Sequence, residues 1–389
     1  MERLKSIISI VVIIIALFLN TQIEYYFDSV TKMVYIAILP MIFYIAINIL
    51  TQKLQYDRYT LYIILLAFTI IIFKQTIEQD YITRMLRFLI TPMLISICYE
   101  NFTKKDLTLL FRLFIVFYIV VCGLSLVEQI LNRNLFITQD WVLEIFSDWN
   151  KYGSLFRSSS LLGHPLTNAQ VVAVIMTFIA VSNFKRKYVQ IILFFLGYVS
   201  LLCFGGRGAI LTVTILVAPY FVWKVNKSTQ PSKKWIIKLA VFFMFCGLVY
   251  AVTQTQLGSR LMGGELIDAS AQTRLEVFNF YKYYQTNDDF LWGQPQFDRY
   301  ILEIHGLPIE NGVIVLLLDF GIIFTIPMLL LLFSFQYRKL SVYPKFEKWL
   351  LIAVFFIIGT MNPNLKDAVQ WTMWINAYFA FRTLQTVNT

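Results

Sequence analysis

The stretch LLCFGGRGAI, residues 201–210, sets one arginine, Arg207, among glycines with long apolar runs on both sides. Arginine stays charged, and a charge at bilayer depth costs roughly 3 kcal/mol on insertion scales. Either Arg207 marks a helical hairpin and extends to the lipid headgroups, or it meets an anion that the paired glycines let approach the backbone. A second stretch, RSSSLLGHPLTNAQ, holds Arg157, His164 and Asn168, with Pro165 suited to the first turn of a helix. Its plain structural reading is a capped helix start with an interfacial histidine. A third, AQTRLEVFNFYKYYQT, reads as a helix with Thr273 and Glu276 spaced as a capping box. Arg274 would open that helix against its dipole, an arrangement that a diphosphate on the free N–H groups and a bidentate arginine would satisfy. A solvated loop arginine is the alternative.

The fourth stretch, HGLPIENG, leads into another apolar run. Glu310 and Asn311 open that helix, where a carboxylate is favourable by itself. Glu310 is also a candidate general base, and His305, five residues earlier, competes for the role because imidazole titrates near neutrality. Asp319 falls near the middle of the following run. An acid there is a functional candidate or the partner of a cation such as Arg84 or Arg87. Tyr281, Tyr284 and Trp292 could stack on sugar rings or line an aromatic interface belt.

The elements that must position these residues are membrane helices. The chain of 389 residues is 58% hydrophobic and only 14% charged, against about 25% charged for a soluble domain. A spanning helix needs about 20 mostly apolar residues, and twelve runs are candidates: 4–20, 30–50, 59–73, 85–99, 107–130, 161–182, 189–204, 208–223, 235–252, 309–334, 349–360 and 369–385. The third and eleventh are short. No cleavage pattern follows the first run, which is expected to be retained.

Lys and Arg gather on alternate connections: Lys53 and Arg58, Lys104 and Lys105, Lys185 to Lys187, Lys224 to Lys238, Arg338 to Lys348, and Arg382. Most of the acidic residues fall on the others. This is the pattern of cytoplasmic termini and inner basic loops. The net charge of +10 is therefore a topology signal and not a nucleic-acid surface. The expected fold is all-α and polytopic, with residues 1–389 as one membrane domain. A smaller outer loop covers 131–160 and a large one with short helices covers 253–308. All four stretches then share the outer side.

Cys98, Cys122, Cys203 and Cys246 lie in apolar runs without CxxC spacing and read as packing residues. Two histidines do not make a three-histidine metal site, and no cofactor is expected. Inverted half-copies, which would suggest a transporter, are not evident.

RSSSLLGHPLTNAQ, FGGRGAI, the large loop with TRLEVF, and IENGVIVLL after it resemble the Wzy-type O-antigen and capsular polysaccharide polymerases, and more distantly the O-antigen ligases. The resemblance covers roughly residues 155–335. It implies an inverting, metal-independent glycosyltransferase of GT-C-like fold in the bacterial cell (inner or plasma) membrane. Such an enzyme moves glycan from a polyprenyl diphosphate donor to an acceptor sugar hydroxyl. It implies a polyprenyl-diphosphate-linked oligosaccharide as substrate, membrane lipids as surroundings, and a chain-length regulator and flippase as partners. In the ligases a histidine precedes the asparagine where this chain has Glu310-Asn311. The departure favours polymerase over ligase and Glu310 over His305. On this reading Arg207, Arg274 and Arg157 take the diphosphate, and His164, Asn168, Asn311, Tyr281 and Tyr284 contact the glycan. A ligase, or a flippase with its cations in a central cavity, is the alternative.

Overall fold

A computed structural model describes residues 2–18, 30–74, 80–135, 156–228, 235, 286–294, 309, 311–360, 365 and 368–385. The described residues form helices and turns, with no strand among them. In chain order the helices are α1 (Glu2–Phe18), α2 (Val30–Leu50), α3 (Arg58–Lys74), α4 (Ile82–Glu100), α5 (Lys104–Leu131), α6 (Pro165–Val181), α7 (Lys187–Phe204), α8 (Arg207–Lys227), α9 (Asn287–Trp292), α10 (Gly312–Lys339), α11 (Lys345–Thr360) and α12 (Ala368–Gln385). Of these, α4, α5, α7, α8 and α10 are long and apolar enough to cross a membrane. The expected ninth run, 235–252, lies outside the described residues apart from Trp235.

Burial sorts the helices into a centre and a periphery. Helix α6 is buried almost all round, and α12 is buried on nearly every face. A helix without a solvent face belongs inside a bundle. Helix α12 packs on α4, α5 and α6, and α6 also packs on α7 and α11. The peripheral helices turn large apolar side chains outward instead: Ile7 and Ile14 of α1, Leu39 and Phe43 of α2, Phe68 and Ile72 of α3, Ile192 of α7, Ile215 of α8, and Leu330 of α10 are all exposed. So wide an apolar exterior is stable only against lipid. The chain is a multi-pass helical membrane protein.

Several polar side chains inside the bundle bond across helices. Tyr99 Oη donates to Asn376 Oδ1 at 2.6 Å, and Asn376 Nδ2 donates to the Ala16 carbonyl at 2.9 Å. Gln170 Nε2 donates to the Ile358 carbonyl at 3.1 Å.

The basic connections meet at one end of the bundle. Lys339 pairs with Asp57 and Glu100, and Arg338 Nε lies 3.1 Å from Asp57. Lys224 pairs with Glu347 at 2.7 Å, and Asn183 donates to Gln385 at 3.0 Å. Local chemistry starts the helices there: Thr103 and Asp106 form a reciprocal cap on α5. This basic-loop end gives a reference from which depth can be measured along each helix.

Measured so, Asp319 is not at mid-depth. Helix α10 is broken at Gly321, which has φ of 67° and ψ of 172°. Asp319 precedes the break and is buried beside α3, where its charge acts on Lys74. Lys74 ends a helix of 17 residues that begins at the basic-loop end, about 25 Å away at 1.5 Å per residue. Asp319 therefore sits near the opposite end of the bundle.

The break holds part of the large connection. Gly293, which caps α9, approaches so closely that a Cβ on Gly321 would stand 2.5 Å from its nitrogen. Gln294 N–H donates to the Leu318 carbonyl at 2.7 Å, and Thr325 Oγ1 donates to that of Leu316 at 2.9 Å. These bonds take up carbonyls that the break frees. Lys74 Nζ donates to the carbonyls of Trp292 and Gly293.

Candidate functional site

The arginine end of the bundle is built around Glu128, a buried acid in the last turn of α5. Its Oε2 accepts from Ser158 Oγ at 2.5 Å, Ser159 N–H at 3.0 Å and Ser160 N–H at 2.9 Å. Its Oε1 accepts from Leu135 N–H at 2.8 Å. The RSSS turn is thus wrapped on one carboxyl group. Ser160 Oγ adds a bond to the Val121 carbonyl at 2.8 Å, and Ser158 N–H donates to the Cys203 carbonyl at 3.2 Å, tying the turn to the end of α7.

That last bond brings Arg157 to the GGRG turn. Helix α7 ends at Gly205, which has φ of 63°, a conformation that favours glycine. A Cβ there would stand 3.4 Å from Arg157 Nε and 3.6 Å from its Cδ, so the Arg157 side chain lies across the turn. Gly206 presses on α6: a Cβ would stand 2.5 Å from Ala169 Cβ. Arg207 is then the first residue of α8, and Ile210 N–H donates to the Gly206 carbonyl at 2.9 Å. The amides of such a first turn have no acceptor within the helix. Arg157 thus lies against the turn that leads into Arg207, fifty residues later in sequence and at a helix start, a placement that a multiply charged anion would suit.

The other candidates divide. His164 caps α6: it is exposed, and its Nδ1 accepts from Leu166 N–H at 3.2 Å. Pro165 opens that helix as expected. Asn168 is fully buried, and its Nδ2 donates to the carbonyls of Ser159 and His164. It staples the RSSS turn to α6, a structural use that its placement among glycan contacts did not anticipate. Asn311 Oδ1 accepts from Val313 N–H at 3.1 Å and Ile314 N–H at 3.2 Å. Its side-chain oxygen is engaged in capping α10. Trp292 stacks on Phe73, with centroids 6.3 Å apart and planes 17° apart. Glu310, His305, Arg274, Tyr281 and Tyr284 lie outside the described residues, as does the expected helix around TRLEVF.

Two residues of this end were not singled out from the sequence: Glu128 and Lys74. Both are charges within or ending apolar runs, which is a legible signal. Thr286 and Asp289 also form a capping box on α9, at the spacing that such a box requires.

No protein-family model matches this chain, and no curated protein does. The class is accordingly given by the fold: a multi-pass membrane protein, helical throughout its described residues, with Arg157 lying against the turn that precedes Arg207.

Proposed function

We propose that this protein is a polysaccharide polymerase that joins polyprenyl-diphosphate-linked repeat units at the outer face of a bacterial cell membrane. The observation that carries the reading is the placement of Arg157 across the GGRG turn that leads into Arg207 at the start of α8. In the reaction an acceptor sugar hydroxyl attacks the anomeric carbon of the donor glycan. The bond from that carbon to the diphosphate oxygen breaks with inversion, and the lipid diphosphate leaves with the electron pair. Arg157, Arg207 and Arg274 neutralise the charge that develops on it. Glu310 takes the hydroxyl proton, with His305 as the competing base, and such a base contributes on the order of 10²–10⁴ in rate.

Orientation is tested by labelling. With the arginine end outside, a cysteine at Asn287 reacts with an impermeant reagent in intact cells, and one at Ser228 reacts only after the membrane is opened. Cys98, Cys122 and Cys203 are buried and contribute little background. Both sites reacting from the same side would remove the shared outer face and the mechanism with it.

The base is tested by substitution. Glu310→Gln keeps size and hydrogen-bonding atoms but is no useful proton acceptor at neutral pH. Cells carrying it are expected to show single-repeat glycans in place of long chains on gels, while His305→Gln retains most activity. The reverse pattern assigns the base to His305. Full activity in both variants would leave donor positioning and diphosphate departure to carry the reaction.

A further inference from the structure

We propose that a groove at the basic-loop end, between α3, α10 and α11, binds the headgroup of an anionic phospholipid, with an acyl chain lying along α10. The groove has a volume of about 310 Å³ and is lined by Tyr59, Phe333, Ser334, Tyr337, Arg338, Ser341 and Lys348. It lies at the far end of the bundle from Arg157 and Arg207, and the proposal does not rest on the polymerase reading.

The electrostatics favour an anion. Lys348 Nζ stands 4.0 Å from the centroid of the Tyr337 ring and makes no ion pair among the described residues. Arg338 is half exposed. It meets Asp57 through Nε at 3.1 Å and stands with its guanidinium carbon 5.9 Å from the Tyr59 ring centroid. Asp57 is shared between Arg338 and Lys339, and the other neighbouring carboxyl groups are engaged elsewhere: Glu347 with Lys224 and Tyr220, and Glu100 with Lys339. The Ser334 and Ser341 hydroxyls add donors to the same wall. Basic pockets between membrane helices at a bilayer surface are the usual receptors for lipid phosphates.

The aromatic wall and the helix beside it choose a lipid over a free phosphate. Phe333 stacks on Tyr337 at 6.3 Å and meets Trp349 at 5.9 Å. From that wall an exposed stripe runs along α10 through Leu330, Ile326 and Ile323, with Phe333 half-buried in line. The spacing of three or four residues keeps these side chains on one helix face. A phosphate between Lys348 and Arg338 thus has an apolar track leading from it toward the middle of the bundle, which an inorganic anion would leave unused.

The experiment is native mass spectrometry on the full chain purified in a neutral detergent, titrated with phosphatidylglycerol, phosphatidylcholine or inorganic phosphate. Phosphatidylglycerol adducts are expected to persist where phosphatidylcholine adducts do not. Lys348→Gln should weaken phosphatidylglycerol binding about fivefold, the factor that corresponds to one cation at a membrane surface. Lys348→Arg should restore it. Lys348→Gln breaks no ion pair among the described residues, so its result is readable even if Arg338→Gln disturbs folding through Asp57. Equal retention of the two lipids, unchanged binding by Lys348→Gln, or displacement of the lipid by millimolar inorganic phosphate would each overturn the proposal.

Discussion

Arg207→Lys is expected to cut polymer formation about a hundredfold or more while leaving protein abundance normal. The guanidinium presents planar, paired donors that match two phosphate oxygens at once, and an ammonium does not reproduce that geometry. Removing one preorganised donor from a site where charge develops costs on the order of 10²–10³ in rate. The placement of Arg207 sharpens the expectation. It opens α8 directly after Gly206, whose backbone is pressed against Ala169, so the turn has little room to move and compensate for a shorter reach. Polymer length on gels, together with the membrane abundance of the variant, reads the outcome. Full activity with lysine would make Arg207 an interfacial anchor, and the diphosphate would then need another cradle.

Glu128→Gln is expected to destabilise the protein by about 3 kcal/mol, within the range for breaking a buried charged hydrogen-bond cluster. The carboxyl group accepts from one hydroxyl and three backbone N–H groups. An amide turns one of its ends into a donor. That end faces either Leu135 N–H, which is exposed enough to turn to water, or the three buried donors of the RSSS turn, and in both orientations an N–H loses its acceptor. Arg157 directly precedes this turn, so activity should fall with stability. Ser160→Ala, which removes only the hydroxyl bond to the Val121 carbonyl, should cost about 1 kcal/mol. Thermal unfolding in detergent orders the three proteins as wild type, Ser160→Ala, then Glu128→Gln. An unchanged midpoint for Glu128→Gln would show that the turn is held by other contacts.

The break in α10 bears on how the large connection is positioned. Its described part, α9, docks by backbone contact with Gly321, and Lys74 takes the carbonyls at its end. Glu310 lies between Ile309, which is buried, and Asn311, which caps α10. The candidate base is therefore flanked in sequence by residues with structural uses of their own.

Much of the architecture is legible in the sequence because its signals are local. Apolar runs place α1 to α8 and α10 to α12 to within a few residues, since hydropathy is a property of the segment itself, and five of these helices are long and apolar enough to cross a membrane. Pro165 marks the start of α6 and the paired glycines mark the turn before α8, because each acts on its own backbone. The alternation of Lys and Arg groups the connections that meet around Asp57, Lys339 and Glu347.

Contacts between distant segments could not be read in the same way. Nothing local ties Arg157 to Arg207. A carboxyl group on α5 folds the RSSS turn, and one bond to the Cys203 carbonyl carries it to α7. Asn168 and Asn311 have residue types that suit a polar ligand, and only the fold shows that Asn168 Nδ2 and Asn311 Oδ1 are also engaged by backbone groups around them. The break at Gly321 is invisible to hydropathy, because an apolar run has the same composition whether its helix is continuous or interrupted. The interruption is sustained by Gly293, Gln294 and Lys74, all supplied from other parts of the chain, and Asp319 lies just before it, at the end of the bundle that holds Lys74.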